Sequence, residues 1–536
     1  MKSHWKCLVG AVLCAAVSTS LRGAEPAVGK SPRYCNPLPM VSGGGASASG
    51  DVTVISDNGK YYMYCSGGGA WVSEDLLNWS LHRIANVPTA PHVVKYNGAF
   101  YMCGNDGPLF KADNPLGPFT RLGEWKNTPD VVGGWNGAFD MDIFVDDDNV
   151  PYLYYPGRGV SGIYVVPLDT NDLTRFAGPP KHLFAFNKDH VWERYGEMNE
   201  YTDVAWVEGP WLQKRNGTYY LEYSASGTQW KTYADGYYMA KSPMGPFTYA
   251  TNNPLLRKTE GLVTGTGHGS IVEGPGKQLW QFYTIVLSSP PGGRRIGMDP
   301  VAVDKEGNMS VRITDTPQWA PGVVADPAKD GDSGSIPVTI NKMRAMNALS
   351  QYSSQQPGHD AAYALDNSSG TWWEPSPTDT QPMLTVELSP ATRFDRVQLF
   401  TVDSARLMFT GGGFGGRGRG GRGAGRGETP GAGPAATETA SAAATNAAPA
   451  APRIDSYQYK IEGSLDGNTY TALLDQSTNT VVRNTLFDEF PPTKCRFVRL
   501  TMVNWPRTSP LGIIEFTVFG KPAESLPAAV AIPELP

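Results

Sequence analysis

Cysteine and charge are both scarce in this sequence, and each shortage excludes a class of protein. Six cysteines in 536 residues are too few for a disulfide-stapled scaffold. Charged residues account for 18% of the chain, below the roughly 25% of an average soluble protein, and the net charge of -6 gives no general attraction to nucleic acids. The four cysteines beyond residue 24 match no zinc motif, and we expect them to be buried as small hydrophobic residues: Cys35, Cys65, Cys103 and Cys495.

Beyond the N-terminal region, no apolar run is long enough to cross a membrane as a helix. The N-terminal run, Cys7–Val17, follows Lys2 and Lys6 and is too short to span a bilayer, which is typical of a signal peptide. We predict a signal peptide over residues 1–24. The mature protein is then expected to be secreted or periplasmic and to have no membrane contact.

Glycine and proline are abundant, with 61 and 44 residues, and 40% hydrophobic and 11% aromatic residues are sufficient for packed cores. This combination disfavours helical bundles and favours a turn-rich β protein. The length of 536 residues predicts two or three domains.

One unit recurs five times in the first three hundred residues. It consists of a short strand, a turn often centred on Asn-Gly, and an aromatic-rich strand. Asn-Gly between alternating apolar runs is the strongest short hairpin signal, because type I′ turns need positive φ at both central residues. The five copies are Asp51–Cys65, His92–Cys103, Asp140–Tyr155, Glu208–Tyr223 and His268–Tyr283.

A second motif follows some of these copies. The nonapeptides ADNPLGPFT (Ala112–Thr120) and AKSPMGPFT (Ala240–Thr248) are nearly identical, and Ser73–Trp79 stands at the matching place after the first copy. We predict that they form the outer part of a repeated sheet. The fold expected is all-β, a five-bladed β-propeller over residues 31–319. A β-sandwich would explain the hairpins but not the repeated outer motif.

Four of the five units carry an ionisable residue at one position, eleven or twelve residues before an aromatic residue of the second strand: Asp51, Asp140, Glu208 and His268. In the second unit, this position falls near Thr89 or Ala90. Innermost strands of a propeller line its axis, so we expect a shared polar centre, although any single acid at a strand start is more often structural. Converging carboxylates raise the pKa of at least one member, which suits general acid–base hydrolysis of a glycosidic bond.

At these residues the sequence resembles glycoside hydrolase family 43, from about Tyr34 to Asn308. Glu208-Gly209-Pro210 followed by NGTYYLEYS is close to the general-acid motif of that family, and Asp140 in DMDIFVDDD is similar to its second aspartate. Asp51 before Tyr61-Tyr62 resembles its opening strand. The family often has Ala-Asp-Pro there and Pro after the second aspartate, where this chain has Gly-Asp-Val and Met.

The resemblance implies an inverting hydrolase in which Asp51 is the general base, Glu208 is the general acid, and Asp140 orients Glu208 and tunes its pKa. Inversion places the two working carboxyl groups about 6.5–9.5 Å apart. No cofactor is implied, but His268 resembles a histidine near an axial calcium or water, so a structural calcium there is an open expectation. The rest of the acidic run, Asp142 and Asp146–Asp148, is expected to form a solvated loop.

The implied partner is a carbohydrate with α-L-arabinofuranosyl, β-D-xylosyl or galactosyl linkages, cleaved by exo or endo action. Trp135, close before Asp140, and Arg295, in GRRIGMDPV, are the candidate substrate-binding residues. Trp71, Trp206 and Trp230 are further candidates. For each tryptophan a place in the core is the commoner role, and Arg295 could equally be exposed at the surface. The alternative function is a catalytically silent carbohydrate-binding protein, against which the presence of all three carboxylates counts.

Composition shifts after Trp319. Residues 320–335, rich in Pro, Gly and Asp, predict a linker, and alternating segments over 336–522 predict a β-sandwich, with a tail at 523–536. AAYALDNSSGTWW, YKIEGSLDGNTYTAL and GIIEFTVFG resemble the discoidin, or coagulation-factor C-type, galactose-binding-like jelly roll. That resemblance implies polysaccharide binding, and a stabilising appendage remains the alternative.

A Gly/Arg/Ala-rich insertion, residues 411–452, interrupts this second domain. Its composition predicts disorder. Its arginines imitate RNA-binding arginine–glycine segments, but the export signal and the acidic chain favour a loop extension without a nucleic-acid partner. We expect the protein to be a monomer.

Overall fold

The computed structural model describes residues 32–42, 50–105, 107–129, 139–288, 293–339, 349–388, 399–410, 456–506 and 510–523. The predicted signal peptide, Trp135, the insertion 411–452 and the tail beyond residue 523 lie outside these ranges. Among the described residues, no helix has the length and apolar character needed to cross a membrane.

Five antiparallel sheets follow one another along the chain after a short strand β1 (Arg33–Tyr34). The first contains β2 (Thr53–Asp57), β3 (Lys60–Tyr64), β4 (Ala70–Ser73) and β5 (Ser80–His82). The second contains β6 (Thr89–Tyr96), β7 (Ala99–Asn105), β8 (Phe110–Ala112) and β9 (Thr120–Arg121). The third contains β10 (Asp142–Val145), β11 (Pro151–Pro156), β12 (Ile163–Asp169), β13 (Asp172–Phe176) and β14 (Lys181–Phe184).

The fourth sheet contains β15 (Trp206–Arg215), β16 (Thr218–Ser226), β17 (Ala234–Ala240) and β18 (Thr248–Tyr249). The fifth contains β19 (Gly267–Glu273), β20 (Leu279–Leu287), β21 (Gly293–Val303) and β22 (Met309–Val311), and β23 (Gln318–Trp319) pairs with β1. Short 3-10 helices occur at Gly159–Ser161, Val191–Glu193, Pro275–Lys277 and Ala361–Leu365.

The first strands of the five sheets contact one another in a closed ring, in the order β2, β6, β10, β15, β19 and back to β2. This ring makes the sheets the blades of a five-bladed β-propeller, and the predicted fold is confirmed. The five predicted repeats coincide with the first hairpin of each blade. At the turn of the first blade, Asn58 and Gly59 have φ of 49° and 76°, as the Asn-Gly signal requires.

The repeated nonapeptides connect the third and fourth strands of blades 2 and 4, so their predicted place in the outer part of the sheet is confirmed. Gly117 and Gly245 occupy the same position in the two copies, with φ of 82° and 71°. A side chain is disfavoured at such φ values, which accounts for glycine in both.

Aromatic side chains from neighbouring blades fill the spaces between them. Blade 1 and blade 5, for example, share a cluster that includes Trp71, Trp79, Trp280 and Phe282. The four cysteines are buried, as expected for small hydrophobic residues.

Two further sheets follow a four-residue helix, α1 (Pro327–Asp330), and pack face to face as a β-sandwich. The strands are β24 (Ile336–Pro337), β25 (Leu349–Tyr352), β26 (Met383–Glu387), β27 (Phe400–Phe409), β28 (Gln458–Ser464), β29 (Thr471–Asp475), β30 (Thr485–Cys495), β31 (Phe497–Asn504) and β32 (Ile513–Pro522). One sheet has the order β24-β32-β27-β30 and the other β25-β26-β31-β28-β29. Their inner faces share one apolar core, which includes Leu384, Val402, Leu500 and Phe516.

Candidate active site

In every blade, a residue before or within the first part of the innermost strand has positive φ. The values are 51° at Asp51, 47° at Ala90, 38° at Asp140, 54° at Gly209 and 46° at His268. Positive φ is uncommon for non-glycine residues, so four such residues and one glycine near the starts of the five strands indicate one repeated backbone bend. The bend residue is Asp51, Asp140 or His268 in blades 1, 3 and 5, alanine in blade 2, and in blade 4 the glycine that directly follows Glu208.

Asp51 is held by a guanidinium, a histidine and a hydroxyl group. Its Oδ1 accepts from Arg294 Nη1 at 2.6 Å and lies 3.4 Å from His268 Nδ1, and its Oδ2 accepts from Ser66 Oγ at 2.5 Å. Burial alone would raise the pKa of Asp51, but Arg294, His268 and Ser66 together bring it below its ordinary value. Asp51 is therefore the carboxylate that stays ionised.

His268 joins Asp51 to Asp140. Its Nδ1 lies 3.8 Å from Asp140 Oδ2, and its backbone N–H donates to Ser224 Oγ at 2.8 Å and to Asp235 Oδ1 at 2.9 Å. Burial lowers the pKa of His268, but the surrounding carboxylates, Asp140 first, outweigh burial and raise it. The pKa of Asp140 is raised by burial and by Asp51, against the opposing effect of His268.

Glu208 is 5% exposed, and its Oε1 accepts from Tyr233 OH at 2.9 Å. Burial and the neighbouring Asp140 raise the pKa of Glu208 to about 8, although His268 and Tyr233 oppose the rise. The next residue is Gly209, where an added Cβ would lie 2.9 Å from the His268 ring. Glycine at this position lets the histidine pack directly against the strand that carries Glu208.

The site thus separates two carboxyl groups by environment. At neutral pH, Asp51 is ionised beside a guanidinium, and Glu208 is protonated in a buried position. Such a pair supplies a base and an acid at the same time, which is the requirement for hydrolysis by concerted proton transfer.

The structure brings together Asp51, Asp140, Glu208 and His268, as the repeat register predicted. Arg295 lies elsewhere: it is 8% exposed, and its Nη2 donates to Phe409 O in the sandwich at 3.2 Å. The residue beside Asp51 is its neighbour Arg294, which sequence reasoning missed. Consecutive residues of a strand face opposite sides, and the sequence Gly-Arg-Arg contains no signal for which arginine faces the axis.

The tryptophan candidates differ in burial and in the residues they contact. Trp71 is fully buried in the core between blades 1 and 5, whereas Trp230 packs edge-to-face on Tyr195 with ring centroids 5.5 Å apart. Trp206, the first residue of β15, is 41% exposed. Trp135 lies outside the described residues.

One expectation about the acidic run was wrong. Asp142 is not in a solvated loop but buried on β10, where its Oδ2 accepts from Leu212 N at 2.8 Å and its Oδ1 lies 3.0 Å from His92 Nε2. Its carboxyl group joins blade 3 to blades 2 and 4. Along the stretches that the structure describes, no group of three or more His, Cys, Asp and Glu side chains is arranged to hold a metal ion.

Comparison with known proteins agrees with this site. Residues 46–309 match the model of Glycosyl hydrolases family 43, a range that runs from before β2 to the first residue of β22. The match supports placing the propeller in that family of glycoside hydrolases.

Three curated relatives show what the chain is similar to. Beta-D-galactofuranosidase xynD of Aspergillus niger is 29% identical over 40% of this chain and 64% of its own length. Arabinoxylan arabinofuranohydrolase of Bacillus subtilis is 30% identical over 33% of this chain and 40% of its own. Xylan 1,3-beta-xylosidase of a Vibrio species is 26% identical over 42% and 43%. The chain therefore spans less than two thirds of the length of each of these relatives.

A solved structure, that of a thermostable family-43 glycoside hydrolase, is 27% identical and aligns with 54% of this chain and 100% of its own, with a TM-score of 0.45.

Proposed function

We propose that this protein is an inverting glycoside hydrolase acting on plant-type polysaccharides or oligosaccharides. The observation that carries the proposal is the pair of carboxyl groups on the propeller axis, one beside Arg294 with a lowered pKa and one buried with a raised pKa. The family match over the propeller supports the same chemistry.

In the proposed mechanism, Asp51 accepts a proton from a water molecule as that water attacks the anomeric carbon. Glu208 donates its proton to the departing glycosidic oxygen, so that the bond breaks without a charged leaving group. Asp140 favours the protonated form of Glu208 through its charge, and Arg294 and Ser66 fix the orientation of Asp51. One displacement inverts the anomeric configuration.

No metal is required for these steps, and calcium near His268 remains an expectation that metal analysis of the purified protein tests.

The relatives are named as a galactofuranosidase, an arabinofuranohydrolase and a xylosidase. We propose α-L-arabinofuranosyl, β-D-xylosyl or galactosyl linkages as the substrates here. A panel of nitrophenyl glycosides of these sugars, including the galactofuranoside, is the direct test. Turnover of one substrate that is lost in Glu208→Gln supports the enzyme and the acid together, and NMR of the first product gives the anomeric outcome.

Failure of the wild type on this panel would move the test to arabinan, arabinoxylan and galactan. If those polymers also stayed intact, the proposal would be abandoned for a carbohydrate-binding role. Binding to the same polymers by affinity electrophoresis would then identify the silent binder.

We propose that Trp206 contacts the sugar of the leaving group. Residues i and i+2 of a strand share a face, and Trp206 stands two residues before Glu208 in a regular stretch of β15, where they pair with Ser226 and Ser224. The acid protonates the leaving oxygen, so an exposed ring beside it is placed for the sugar that departs. An indole face matches the C–H face of a sugar.

Trp206→Ala should reduce kcat/KM for an oligosaccharide by roughly 3- to 10-fold, the value of one aromatic contact. Hydrolysis of the corresponding glycosyl fluoride should be unchanged, because fluoride carries no leaving sugar. Val204→Ala, at a side chain of similar exposure outside the strand, is the control. Equal losses on both substrates would reject the assignment.

We further propose that residues 1–24 direct export, that 31–319 form the catalytic domain, and that 336–522 form a discoidin-type module joined by 320–335. The strands support these boundaries, since β23 ends at Trp319 and β24 begins at Ile336.

N-terminal sequencing of protein recovered from the medium or periplasm tests export, and an uncleaved Met1 would contradict it. Size-exclusion chromatography tests the expected monomer, and a glycan array tests polysaccharide binding by the sandwich.

A further inference from the structure

Buried side chains of the sandwich pack against the propeller at the junction between the two domains. Arg406 of β27 is fully buried, and its Nη1 donates to the backbone carbonyls of Asn36 at 2.6 Å and Asp315 at 2.9 Å, both on the propeller side. Met408 and Ile514 of the sandwich belong to an apolar cluster whose other buried members come from blades 4 and 5 and the segments between them. A module hanging on a free linker would not bury a guanidinium and a hydrophobic cluster across its junction.

The same junction reaches β21, the strand that carries Arg294. Arg295 Nη1 donates to the backbone carbonyl of Arg294 at 3.1 Å, and Arg295 Nη2 donates to Phe409 O at 3.2 Å. One buried guanidinium thus bridges the backbone of Arg294 to the last residue of β27. No acidic side chain pairs with Arg295 within the described ranges.

The preceding strand is tied to the sandwich as well. Ser288, directly after β20, donates its backbone N–H to Ser369 Oγ at 3.1 Å, and Ser369 is buried. Arg294 is the second residue of β21, and among the described residues only one pair of the β20–β21 ladder, Leu287 with Gly293, lies beyond it. The sandwich therefore restrains the ends of both strands next to the residue that contacts Asp51.

We propose that the sandwich supports the active site from outside, with Arg295 as a positioning residue that holds Arg294 against Asp51. This inference rests on the proposed function and adds to it a structural role for the second domain. The Arg295 guanidinium has two carbonyl acceptors, one on β21 and one on β27, so it stabilises one relative position of these two strands. Because the site is buried and an unpaired charge there is costly, the guanidinium keeps both acceptors.

Loss of this bridge has a specific consequence for Asp51. The groups that face Asp51 are Arg294 from β21, His268 from β19, Asp140 before β10, Glu208 from β15 and Tyr233 before β17. Arg294 is the nearest cation, and its displacement leaves His268 as the remaining positive neighbour. The pKa of Asp51 should then rise, and the acid limb of the kcat/KM profile should move to higher pH.

The test is Arg295→Met in the full chain, with Arg33→Met as the matched control. Arg33 also crosses the junction, from β1 to Glu489 and to Asp403 Oδ1 at 3.3 Å, but it lies on a different strand from Arg294. Both variants should lower Tm. Only Arg295→Met should also lower kcat/KM, by about 10- to 100-fold, and shift the acid limb upward.

Arg295→Lys should recover part of the activity, since an ammonium can reach one carbonyl but cannot bridge two in the same way. Ser369→Ala removes only the hydroxyl acceptor for Ser288 and should give a smaller shift in the same direction, which keeps the test open if Arg295→Met does not fold. A wild-type pH profile in Arg295→Met, or the same shift in Arg33→Met, would overturn the proposal.

Failure of the proposed function is separable from failure of this inference. A wild type inactive on every substrate counts against the hydrolase. A crystal structure of Arg295→Met then decides the positioning role by itself: Arg294 displaced from Asp51 supports it, and Arg294 still bonded to Asp51 overturns it.

Discussion

Two pairs of buried carboxyl groups lie near the propeller axis, and they behave differently. Asp51 and Glu208 form the first pair, with Arg294 bonded to Asp51. Glu222 of β16 and Asp235 of β17 form the second pair, and both are buried as deeply. Burial and mutual interaction raise the pKa of Glu222, and burial also raises that of Asp235.

The two pairs differ in one respect: the first has a guanidinium, that of Arg294, bonded to one of its carboxyl groups. Gln281 Nε2 donates to Glu222 Oε1 at 2.6 Å, and Asp235 Oδ1 accepts from His268 N, but no lysine or arginine contacts either carboxyl group within the described residues. The second pair therefore retains a proton and acts as a hydrogen-bonding support beneath His268. Burial alone makes a carboxyl group a poor base, and a guanidinium decides which one remains ionised.

The largest effect is expected for Asp51→Asn. Among the described residues, Asp51 is the one axial carboxylate whose pKa is lowered, so kcat/KM should fall by about 10³-fold or more. Steady-state hydrolysis of the best nitrophenyl glycoside measures the loss. Asp235→Asn is the matched change in the second pair, and comparable losses in the two variants would break the comparison.

The wild-type pH profile should be bell-shaped. Asp51 must be ionised, so kcat/KM falls as pH drops through its lowered pKa. Glu208 must be protonated, so kcat/KM also falls by about tenfold per pH unit above its pKa of about 8. A profile that stays flat from pH 7 to pH 10 is incompatible with Glu208 as the acid.

A smaller change is expected for Tyr233→Phe. The Tyr233 hydroxyl donates to Glu208 and lowers its pKa, so its removal raises that pKa. The alkaline limb should move to higher pH, with a loss of only a few-fold at the optimum. Movement of the limb to lower pH would show that the hydroxyl acts in another way, and Tyr237→Phe, outside the axis, serves as the control.

The smallest effect on activity is expected for Glu222→Gln, which imitates the protonated acid. Because the folded-state pKa of Glu222 is raised, its contribution to stability is fully present below the unfolded value near 4.3 and declines as pH rises toward the folded value. Glutamine has no such decline.

The Tm of Glu222→Gln relative to wild type should therefore increase by a few degrees from pH 5 to pH 8, with kcat/KM within about threefold of wild type. Differential scanning calorimetry at both pH values measures the change. A loss of activity as large as that of Asp51→Asn would mean that the second pair takes part in the chemistry.

The repeat made much of this predictable. Asn-Gly turns locate the hairpins, and the register of Asp51, Asp140, Glu208 and His268 within the repeat predicts one shared site, because equivalent positions of a cyclic fold meet at its axis. The prediction for Asp142 was wrong. The sequence of an acidic run does not reveal that one carboxylate is buried, where it accepts from Leu212 N and contacts His92.

Local pattern alone determined the all-β class, the five blades and the carboxyl groups on the axis, because strand period and turn chemistry act over a few residues. The tertiary structure decided that Arg294 rather than Arg295 meets Asp51, which carboxyl group stays ionised, and that the sandwich is docked on β21. These depend on which face of a strand is buried and on charges brought together from distant segments, and neither is encoded in short-range spacing.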